Sequence, residues 1–418
     1  MNFDRMRALL LERAIRGELV PQLTEDGSIE QVGNGRGLFD IPKSWGWFEF
    51  SKVVKTLSSR GNQIPAKEIC ERGRFPVVTQ SKNSLIDGYS EEESKLVPKA
   101  FLPLLVFGDH TRFLKYVDFQ FIVGADGTKL IRPKDDGFVN CSYLYYVLRA
   151  LVPETKDRGY SRHFQFLKKL MIPVPPIHEQ CRIVDRVEEL LSEINRAEKA
   201  YEELQTLAGV LRGQILQEAI QGKLVPQMAE EGVVEQIGVA PDERPFEIPK
   251  SWKWRALDEI FKFVDYRGKT PTKTTDGVRL ITASNVRQGY VDHKRIEFIS
   301  SEEYIDRQNR GISKKGDILF TTEAPLGNVA LADLDVYSAG QRVITLQTDS
   351  ENKKLLMYFM LSPYFQKALK NNATGTTAQG IKAARLKKLM LPVPPVEEQA
   401  RIASKVEELL KQVDALSA

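Results

Sequence analysis

The 418-residue chain contains few of the residues that build redox centres, metal sites and many catalytic sites. Its three cysteines, Cys70, Cys141 and Cys181, are far apart in sequence and form no CxxC pair. An odd number of widely spaced cysteines indicates neither a disulfide framework nor a zinc site, so packing is the simplest role for them. The four histidines are equally scattered and match neither an HExxH sequence nor a catalytic triad.

Long apolar segments and catalytic motifs are also missing. The longest apolar stretch, Phe101 to Phe107, is short and contains Pro103, so we predict neither a membrane span nor a secretory leader and expect a cytoplasmic protein. Residues 267–270 have the Gly-Lys-Thr ending of a phosphate-binding P-loop, but Phe263 stands where that motif requires glycine. There is no Asn/Asp-Pro-Pro-aromatic sequence, which amino-methyltransferases use to hold the target amine. The sequence therefore predicts a non-enzymatic chain with no metal or cofactor of its own.

What the chain does contain is a long internal repeat. Residues Leu167 to Leu191 return 219 positions later, from Leu386 to Leu410, with 18 of 25 residues identical. Two shorter segments also recur, AIRGELVPQ from Ala14 as AIQGKLVPQ from Ala219, and FDIPKSW from Phe39 as FEIPKSW from Phe246. A repeat of about 210 residues indicates two whole domains joined by repeated connectors, because a solenoid would repeat every 20 to 50 residues.

Heptad periodicity after Pro175-Pro176 predicts a long helix. Apolar or aromatic residues alternate there in steps of four and three: Ile183, Val187, Leu190, Ile194, Ala197, Tyr201, Leu204, Ala208, Leu211 and Ile215. A lone surface helix rarely keeps a 3.5-residue period over about 36 residues, roughly 54 Å, so we expect this helix to pair in a coiled coil. An ordinary amphipathic surface helix is the alternative.

Both ends of the chain repeat parts of this central helix. The offset of 219 carries the first seam positions to Ile402, Val406, Leu409, Val413 and Leu416, and the offset of 205 carries the last ones to Phe3, Met6 and Leu10. Two half-helices from opposite ends of the chain therefore equal one central helix. We expect the termini to lie together beside that helix, in a circular repeat with antiparallel pairing and a pseudo-two-fold axis between the domains.

These features predict an α+β fold, with two mixed α/β domains separated by long antiparallel coiled-coil helices. The expected boundaries are 1–40 for an N-terminal half-helix and connector, 41–172 for the first variable domain, 173–245 for the central connector, 246–391 for the second variable domain and 392–418 for the C-terminal half-helix. Strands are predicted at 75–79, 104–107, 119–123, 279–282, 317–321 and 341–347, and helices at 143–151 and 354–370. The connectors match well and the middles of the domains match poorly, which indicates one scaffold with two specificities.

The distribution of charge indicates a polyanionic partner. Net charge is only +4, but residues 352–396 contain eight Lys or Arg and no Asp or Glu, and residues 158–178 are also basic without an acid. Such faces predict phosphate binding, and the Asn, Gln and Thr side chains among them suit the edges of bases in the major groove. The alternative is a solvated basic face that acids from elsewhere in the chain balance.

The two PVPPxxEQxRI sequences, the long heptad helices, the AIxGxLVPQ segments and the FxIPKSWxW openings resemble those of type I restriction-modification specificity (S, HsdS) subunits. The resemblance covers nearly the whole chain. Residues 107–112, 124–129 and 265–271 also resemble segments of target recognition domains in that family. The resemblance implies that each of two target recognition domains reads one half of an asymmetric bipartite DNA target. It also implies that the helices set the spacer length and dock two adenine-N6 methyltransferase subunits.

By the same resemblance, catalysis belongs to partner subunits. The partners implied are double-stranded DNA, two modification (methyltransferase) subunits that use S-adenosylmethionine, and restriction (endonuclease/translocase) subunits that use ATP and Mg²⁺, with no membrane. Two alternatives stay open. One is a stand-alone DNA-binding or scaffold protein without methyltransferase partners, and the other is an enzyme in its own right.

The candidate DNA-contacting residues combine the basic stretches with the family-like segments. In the first domain they are His110, Thr111, Arg112, Lys129, Arg158, Tyr160 and Arg162. In the second they are Arg267, Lys269, Asn371, Thr374, Thr376, Thr377, Gln379, Lys382, Lys387 and Lys388. No catalytic or metal-ligating residue is predicted.

Overall fold

The structure is a computed structural model that describes residues 1–30, 37–82, 84–124, 127–152, 162–235, 245–266, 270–349, 351–375 and 379–417. The chain forms two compact units, residues 1–201 (unit 1) and 202–418 (unit 2). In its described part, each unit contains a terminal helix, part of one long helix and three β-sheets. No helix in these ranges is both long and apolar enough to cross a membrane.

Unit 1 has its elements in the order α1 (Phe3–Ile15), β1 (Gly46–Glu49), α2 (Phe50–Val53), β2 (Val54–Leu57), β3 (Gln63–Ile64), β4 (Phe75–Val78), β5 (Gly88–Ser90), β6 (Leu104–Gly108), β7 (Leu114–Val117), β8 (Ile122–Gly124), β9 (Thr128–Pro133), α3 (Cys141–Leu151), α4 (Phe164–Leu167) and β10 (Met171–Val174). Helix α5 (Ile177–Ile220) follows directly after Pro176. An antiparallel sheet has the order β2-β9-β6-β7, and a mixed sheet has the order β3-β8-β4-β5.

The antiparallel sheet of unit 1 lies between α3 and the mixed sheet. Successive side chains of a strand point to opposite faces, so Leu105 and Phe107 of β6 pack in the core cluster that contains α3. Leu104 and Val106 pack with residues of the mixed sheet, such as Val78. The result is a layered arrangement of helix, sheet and sheet.

Unit 2 has a similar but not identical order of elements: β11 (Lys253–Ala256), α6 (Leu257–Ile260), β12 (Lys262–Asp265), β13 (Lys273–Thr274), β14 (Val278–Ile281), β15 (Phe298–Ile299), α7 (Ser301–Arg307), β16 (Ile318–Thr322), β17 (Leu326–Leu331), β18 (Ser338–Ala339), β19 (Val343–Gln347), α8 (Lys353–Leu361), α9 (Pro363–Asn371), α10 (Ala383–Lys387), β20 (Met390–Val393) and α11 (Val396–Ser417). Its antiparallel sheet, β12-β19-β16-β17, has the same order as that of unit 1. The mixed sheets differ, because β13 pairs with β15 whereas β3 pairs with β8.

The six predicted strands are found within a few residues of their expected bounds, and α3 lies where a helix was predicted. The single helix predicted over 354–370 is wrong, because α8 ends at Leu361 and α9 starts at Pro363. Between them Ser362 has extended backbone angles, and its Oγ accepts the N–H of Phe365 over 3.3 Å as an N-cap. Helical backbone angles are disfavoured for a residue that precedes proline, and proline suits the first position of a helix. One helix therefore ends before Ser362 and a new one begins at Pro363.

Each terminal helix lies against α5 and runs antiparallel to it. In α1 the ring of Phe3 lies 5.9 Å from that of Tyr201, and Arg7 forms an ion pair with Glu198, one turn earlier in α5. In α11 the Ser417 carbonyl oxygen accepts a bond from Gln205 over 2.7 Å, and Asp414 pairs with Arg212. These contacts, with the two mixed units, confirm the predicted fold class. Helix α5 has 44 residues, more than the expected heptad segment, because it begins at Ile177 and ends at Ile220.

The seam residues differ in burial along these helices. The buried ones are Phe3, Leu10, Ile183, Val187, Ala208, Ile215, Ile402, Val406 and Val413, and the half-buried ones are Leu190, Ile194, Tyr201 and Leu409. Met6, Ala197, Leu204, Leu211 and Leu416 are exposed. The seam residues are therefore mostly buried where the helices pack on the core of each unit, and mostly exposed near the middle of α5.

The repeated connector sequences form a buried hydrogen-bond network in each unit, here called the connector network. In unit 1, Glu179 Oε1 accepts bonds from Trp45 Nε1 over 3.0 Å and from Gln22 Nε2 over 2.9 Å. In unit 2, the Glu398 carboxylate accepts the equivalent bonds from Trp252 over 2.9 Å and from Gln227 over 2.6 Å. Both glutamates are 1% exposed. The network thus joins three segments that are far apart in sequence.

Ion pairs and paired strands complete each connector. Arg182 binds Asp26 over 2.5 Å in unit 1, and Arg401 binds Glu231 over 2.6 Å in unit 2. The FxIPKSWxW opening and the PVPP closing of each domain become paired strands, β1 with β10 and β11 with β20. The beginning and end of each variable domain therefore meet at the connector.

Burial raises the pKa of Glu398 above its ordinary value, and hydrogen bonds from Trp252 and Gln227 oppose that shift. A buried carboxylate is costly unless donors satisfy it. The two donors therefore explain how the glutamate stays in the core.

Candidate nucleic-acid interface

In unit 1 the turn between β6 and β7 carries three predicted DNA-contacting residues, His110, Thr111 and Arg112. Thr111 Oγ1 donates to the carbonyl oxygen of Gln80 over 2.7 Å, and the His110 backbone N–H donates to Gln80 Oε1 over 3.2 Å. Arg112 has a left-handed φ of 60°, and its Nη2 donates to the Val152 carbonyl oxygen over 2.8 Å. The turn is held from two sides, while all three side chains stay half-exposed.

Buried Asp109 joins two further segments to this turn. Its backbone N–H donates to the Gly127 carbonyl oxygen over 2.6 Å, and its own carbonyl oxygen accepts the His163 N–H over 2.8 Å. Asp109 Oδ1 also accepts the N–H of Phe164 over 2.8 Å. The loops after β4, β6 and β8 and the segment before α4 therefore meet at one end of unit 1. We call this assembly the unit 1 turn cluster.

Two more predicted residues of unit 1 lie at the edges of this cluster. Lys129 pairs with Phe107 across β6 and β9 and is half-exposed, and Arg162 is exposed directly before His163. Arg158 and Tyr160 lie outside the described residues. The sequence analysis missed Gln80 and Asp109, because these residues act by forming hydrogen bonds that position the turn. The only signal for Asp109 was its place in residues 107–112.

In unit 2 the turn between β16 and β17 is covered by the loop that joins α9 to α10. Thr374 and Gly380 exchange backbone hydrogen bonds of 2.8 and 2.9 Å, which closes this loop on itself. The Ile381 N–H donates to the Thr322 carbonyl oxygen over 3.0 Å and so attaches the loop to the end of β16. Two predicted residues, Thr374 and Gln379, are exposed on this assembly, which we call the unit 2 turn cluster.

Side chains that were not predicted extend the unit 2 turn cluster. Arg342 Nε lies 2.8 Å from Glu323 Oε1, and Gln341 Oε1 accepts a bond from Thr270 Oγ1 over 2.7 Å. These residues come from the β16–β17 turn, the loop before β19 and the segment after β12. They were missed because the basic stretch 352–396 contains none of them, and only the fold brings them beside it.

The remaining predicted residues of unit 2 lie on short helices or outside the described ranges. Asn371 ends α9, Lys382 caps α10 and Lys388 follows it, and all three are exposed. Lys387 is half-buried, with its Nζ 5.3 Å from the centre of the Phe263 ring. Arg267, Lys269, Thr376 and Thr377 lie outside the described residues.

The basic stretch 352–396 is not one continuous phosphate-binding face. Lys353 Nζ lies 2.9 Å from Asp317, and Lys354 Nζ lies 2.5 Å from Glu407 on α11. These two lysines therefore bind acids from elsewhere in the chain, as the alternative interpretation expected. Within the described ranges, no three His, Cys, Asp or Glu side chains are grouped so that they could hold a metal ion.

The two units share the order of their antiparallel sheets, each has a polar turn cluster, and α5 belongs to both, so the chain consists of two similar units on a helical connector. Residues 42–205 and 249–417 match the family model described as the type I restriction modification DNA specificity domain, and the chain belongs to this family. The family predicted from the repeated sequences is therefore confirmed.

Individual relatives support the same family. The chain is 22% identical to the type I restriction enzyme EcoAI specificity subunit of Escherichia coli, with 99% of this chain and 90% of that protein covered. It is 24% identical to the MjaVIII specificity subunit of Methanocaldococcus jannaschii, with 90% and 87% covered.

Solved structures show the same fold. A chain from a study of complex assembly in the type I R-M system matches with a TM-score of 0.63 and 19% identity, covering 91% of this chain and 93% of that one. The crystal structure of an HsdS subunit from Thermoanaerobacter tengcongensis matches with a TM-score of 0.51 and 18% identity, covering 91% and 92%.

Proposed function

We propose that this chain is the DNA sequence-specificity subunit of a type I restriction-modification complex, and that each unit reads one half of an asymmetric bipartite target. One contrast between the units carries the proposal: their connector networks are the same, whereas the side chains of their turn clusters differ. Both units use the same Trp, Gln and Glu network. Their turn clusters present different side chains, including His110 and Arg112 in unit 1 and Thr374 and Gln379 in unit 2.

Each turn cluster would enter the major groove and contact base edges. Arginine binds the O6 and N7 atoms of guanine with two hydrogen bonds, and glutamine binds adenine in the same manner. Arg112 and Gln379 are therefore the residues to which we assign base contacts. The bonds that Thr111 and His110 donate to Gln80 support this role for unit 1, since they hold the turn in place before DNA binds.

The connector helices would set the spacing between the two half-sites. Half-sites that face the same side of straight DNA are about one helical turn apart, roughly 34 to 36 Å. In this proposal the uninterrupted helix α5, against which α1 and α11 pack, would act as the ruler. The target should then contain a non-specific spacer of constant length.

Catalysis would belong to partner subunits. Two adenine-N6 methyltransferase subunits would bind S-adenosylmethionine and dock on the connector helices, and restriction subunits would bind ATP and Mg²⁺. Exposed apolar side chains on one face of α5 support such docking, namely Leu204, Leu207 and Val210. Contiguous exposed apolar side chains are typical of sites that bind other proteins.

The experiment is co-expression of the chain with the methyltransferase subunit of its host, followed by measurement of the mass of the complex and mapping of methylated adenines. We expect two methyltransferase subunits per chain and methylation at one bipartite sequence that disappears when this gene is deleted. The chain alone should neither methylate nor nick DNA. A chain that binds DNA but retains no methyltransferase would instead be a stand-alone DNA-binding protein.

A further inference from the structure

One residue of the unit 2 turn cluster, Arg342, has a backbone that two strands hold in place. It lies in a turn before β19, in which the Val343 N–H donates to the Gly340 carbonyl oxygen over 3.0 Å. The Gly340 N–H donates to the Ile281 carbonyl oxygen over 2.8 Å, and the Thr322 N–H donates to that of Arg342 over 3.0 Å. Strands β14 and β16 therefore fix the position of the Arg342 backbone.

The guanidinium group of Arg342 is oriented as well. Its Nε lies 2.8 Å from Glu323 Oε1, and the two side chains are 48% and 45% exposed. Glu323 in turn forms a β-bridge with Gly380, and a Cβ atom on Gly380 would lie 3.4 Å from Glu323 Oε2. The carboxylate therefore lies against both Arg342 and the loop that carries Gln379.

Unit 1 shows that the fold does not require an arginine at this position. There the Asp109 N–H donates to the Gly127 carbonyl oxygen, as the Thr322 N–H does to that of Arg342, and the strand pairs β6 with β9 and β16 with β19 have the same register at this point. Gly127 has a φ of 71°, and a Cβ atom there would lie 2.7 Å from His110 Cδ2. One backbone position thus has no side chain in unit 1 and an exposed arginine in unit 2. This difference is expected of a residue that contacts a ligand specific to unit 2.

The ion pair with Glu323 favours a base over a phosphate as the ligand of Arg342. A carboxylate beside an arginine offsets its charge and repels phosphate, so the pair adds little to the attraction of DNA in general. Guanine instead requires two donors in a set orientation, one for O6 and one for N7. An arginine whose Nε binds a carboxylate still has N–H donors on both η nitrogens. The Glu323 carboxylate can therefore orient the guanidinium and leave donors for a guanine.

We infer that Arg342 reads a guanine in the half-site of unit 2, and that Glu323 positions the guanidinium for this contact. The inference rests on the proposed function, because the unit 2 turn cluster must first lie in the major groove. Glu323 is a positioning residue, since it acts through Arg342. The guanine should lie near the base that Gln379 contacts, because Gln379 directly precedes Gly380 in the loop that Glu323 touches.

The test uses the complete methyltransferase complex with Arg342→Ala, Glu323→Gln and the double variant. Competition binding is measured with duplexes that carry each single-base change in either half-site. Arg342→Ala should lower the preference for guanine at one position of the unit 2 half-site by about 10-fold to 100-fold. Glu323→Gln should cause a smaller loss at the same position. In the double variant Glu323→Gln should add nothing to the loss from Arg342→Ala, because no guanidinium is left to orient.

Two controls separate base reading from folding and from the loss of an ion pair. Each variant should keep the wild-type preference in the half-site of unit 1, which is identified as the half-site that Arg112→Ala changes. Lys315→Ala breaks another exposed ion pair of unit 2, with Asp335, at the end of β16 away from the turn. It should leave every base preference unchanged.

Several results would overturn the inference and leave the proposed function standing. One is a wild-type base preference in Arg342→Ala, and another is a unit 2 half-site that contains no G·C pair. A third is an equal loss for all sequences with a slope of log affinity against log salt smaller by about 0.9, which is expected of a phosphate contact. An additive loss in the double variant would overturn the role of Glu323. A wild-type complex with no bipartite preference would overturn the proposed function and the inference together.

Discussion

Glu179 and Glu398 lie 219 residues apart and accept the same two hydrogen bonds, from a tryptophan and from a glutamine. The turns at the ends of β6 and β16 have no such correspondence. Asp109 organises the first turn from inside, whereas the second is covered by a loop that Thr374 and Gly380 close. The comparison shows that the duplicated parts are those in which buried polar groups must satisfy one another.

A buried polar group that loses its partner costs free energy, so the residues of the connector network are constrained together. Exposed turn residues have no such constraint, because water replaces any partner they lose. The mixed sheets lie between these extremes, since the first short strand joins a different neighbour in each unit. The two units therefore share a scaffold and differ in their turn clusters and in the pairing of their mixed sheets.

The largest effect should come from the tryptophans of the connector network. Trp45→Ala and Trp252→Ala each remove a buried ring and leave a glutamate with one donor fewer, so each should lower the free energy of unfolding by about 3 to 5 kcal/mol. Urea denaturation measures this loss. Phe113→Ala, at an exposed aromatic residue, is the control and should change stability by about 0.5 kcal/mol or less. If the two substitutions lowered the free energy of unfolding by amounts that differ severalfold, the two connector networks would not be equivalent.

Substitutions in the turn clusters should affect different halves of the target. Arg112→Ala should relax discrimination at one position of one half-site, and Gln379→Ala should do so in the other half-site, each by about 1 to 3 kcal/mol. Lys388→Ala should weaken binding to all sequences alike and reduce its salt dependence. Competition binding with single-base variants of the target distinguishes these results. If Arg112→Ala and Lys388→Ala behave alike, the assignment of base contacts is wrong.

Alanine substitutions at the glycines that follow α1 and α5 should have a smaller effect on stability, and each unit contains a matched control glycine. Gly17 and Gly222 have φ of 73° and 70°, and a Cβ atom there would lie 2.4 or 2.5 Å from a proline Cγ atom. Gly27 and Gly232 have similar φ but no atom within 4 Å of such a Cβ. Alanine at Gly17 or Gly222 should therefore cost about 2 kcal/mol, against about 1 kcal/mol at Gly27 or Gly232. Equal losses in thermal unfolding at all four positions would mean that the contact with proline is unimportant.

The smallest effect concerns the pH dependence of unit 2. Because burial raises the pKa of Glu398 in the folded chain, its protonated form is favoured by folding. The stability gained in this way is complete below the pKa of the unfolded chain and is lost as pH rises through the folded pKa. Glu398→Gln cannot titrate, so its stability should fall less than that of the wild type as pH rises above the ordinary pKa of a glutamate. Thermal unfolding of both proteins over this pH range measures the difference. If the wild type and the variant show the same pH dependence of stability, the titration does not belong to Glu398.

The connectors could be predicted from the sequence because their constraints are repeated in it. Heptads indicated α5, and the offsets of 219 and 205 indicated that α1 and α11 pair with it. The Ser362-Pro363 pair is a readable helix start, but the helix predicted over 354–370 passes over it. The bonds of Glu179 were not predictable, since Gln22 lies 157 residues away and no local pattern indicates which distant donors approach a carboxylate.

Candidate site residues were found where basic or family-like segments contained them, as with Arg112 and Gln379. Gln80, Asp109 and Arg342 were missed because they join the turn clusters only through the pairing of strands. The parallel pairs β4 with β8 and β14 with β18 bring loops together from distant parts of each domain. Such pairing depends on the whole core and leaves no periodic signal in a short segment.

The central claim is that two different recognition units read two different half-sites at one spacing. Selection of bound duplexes from a random pool by the complete complex, followed by sequencing, tests it most directly. We predict two short half-sites of unlike sequence, separated by a non-specific spacer of constant length. A single continuous site, a palindrome or a spacer of variable length would contradict the account.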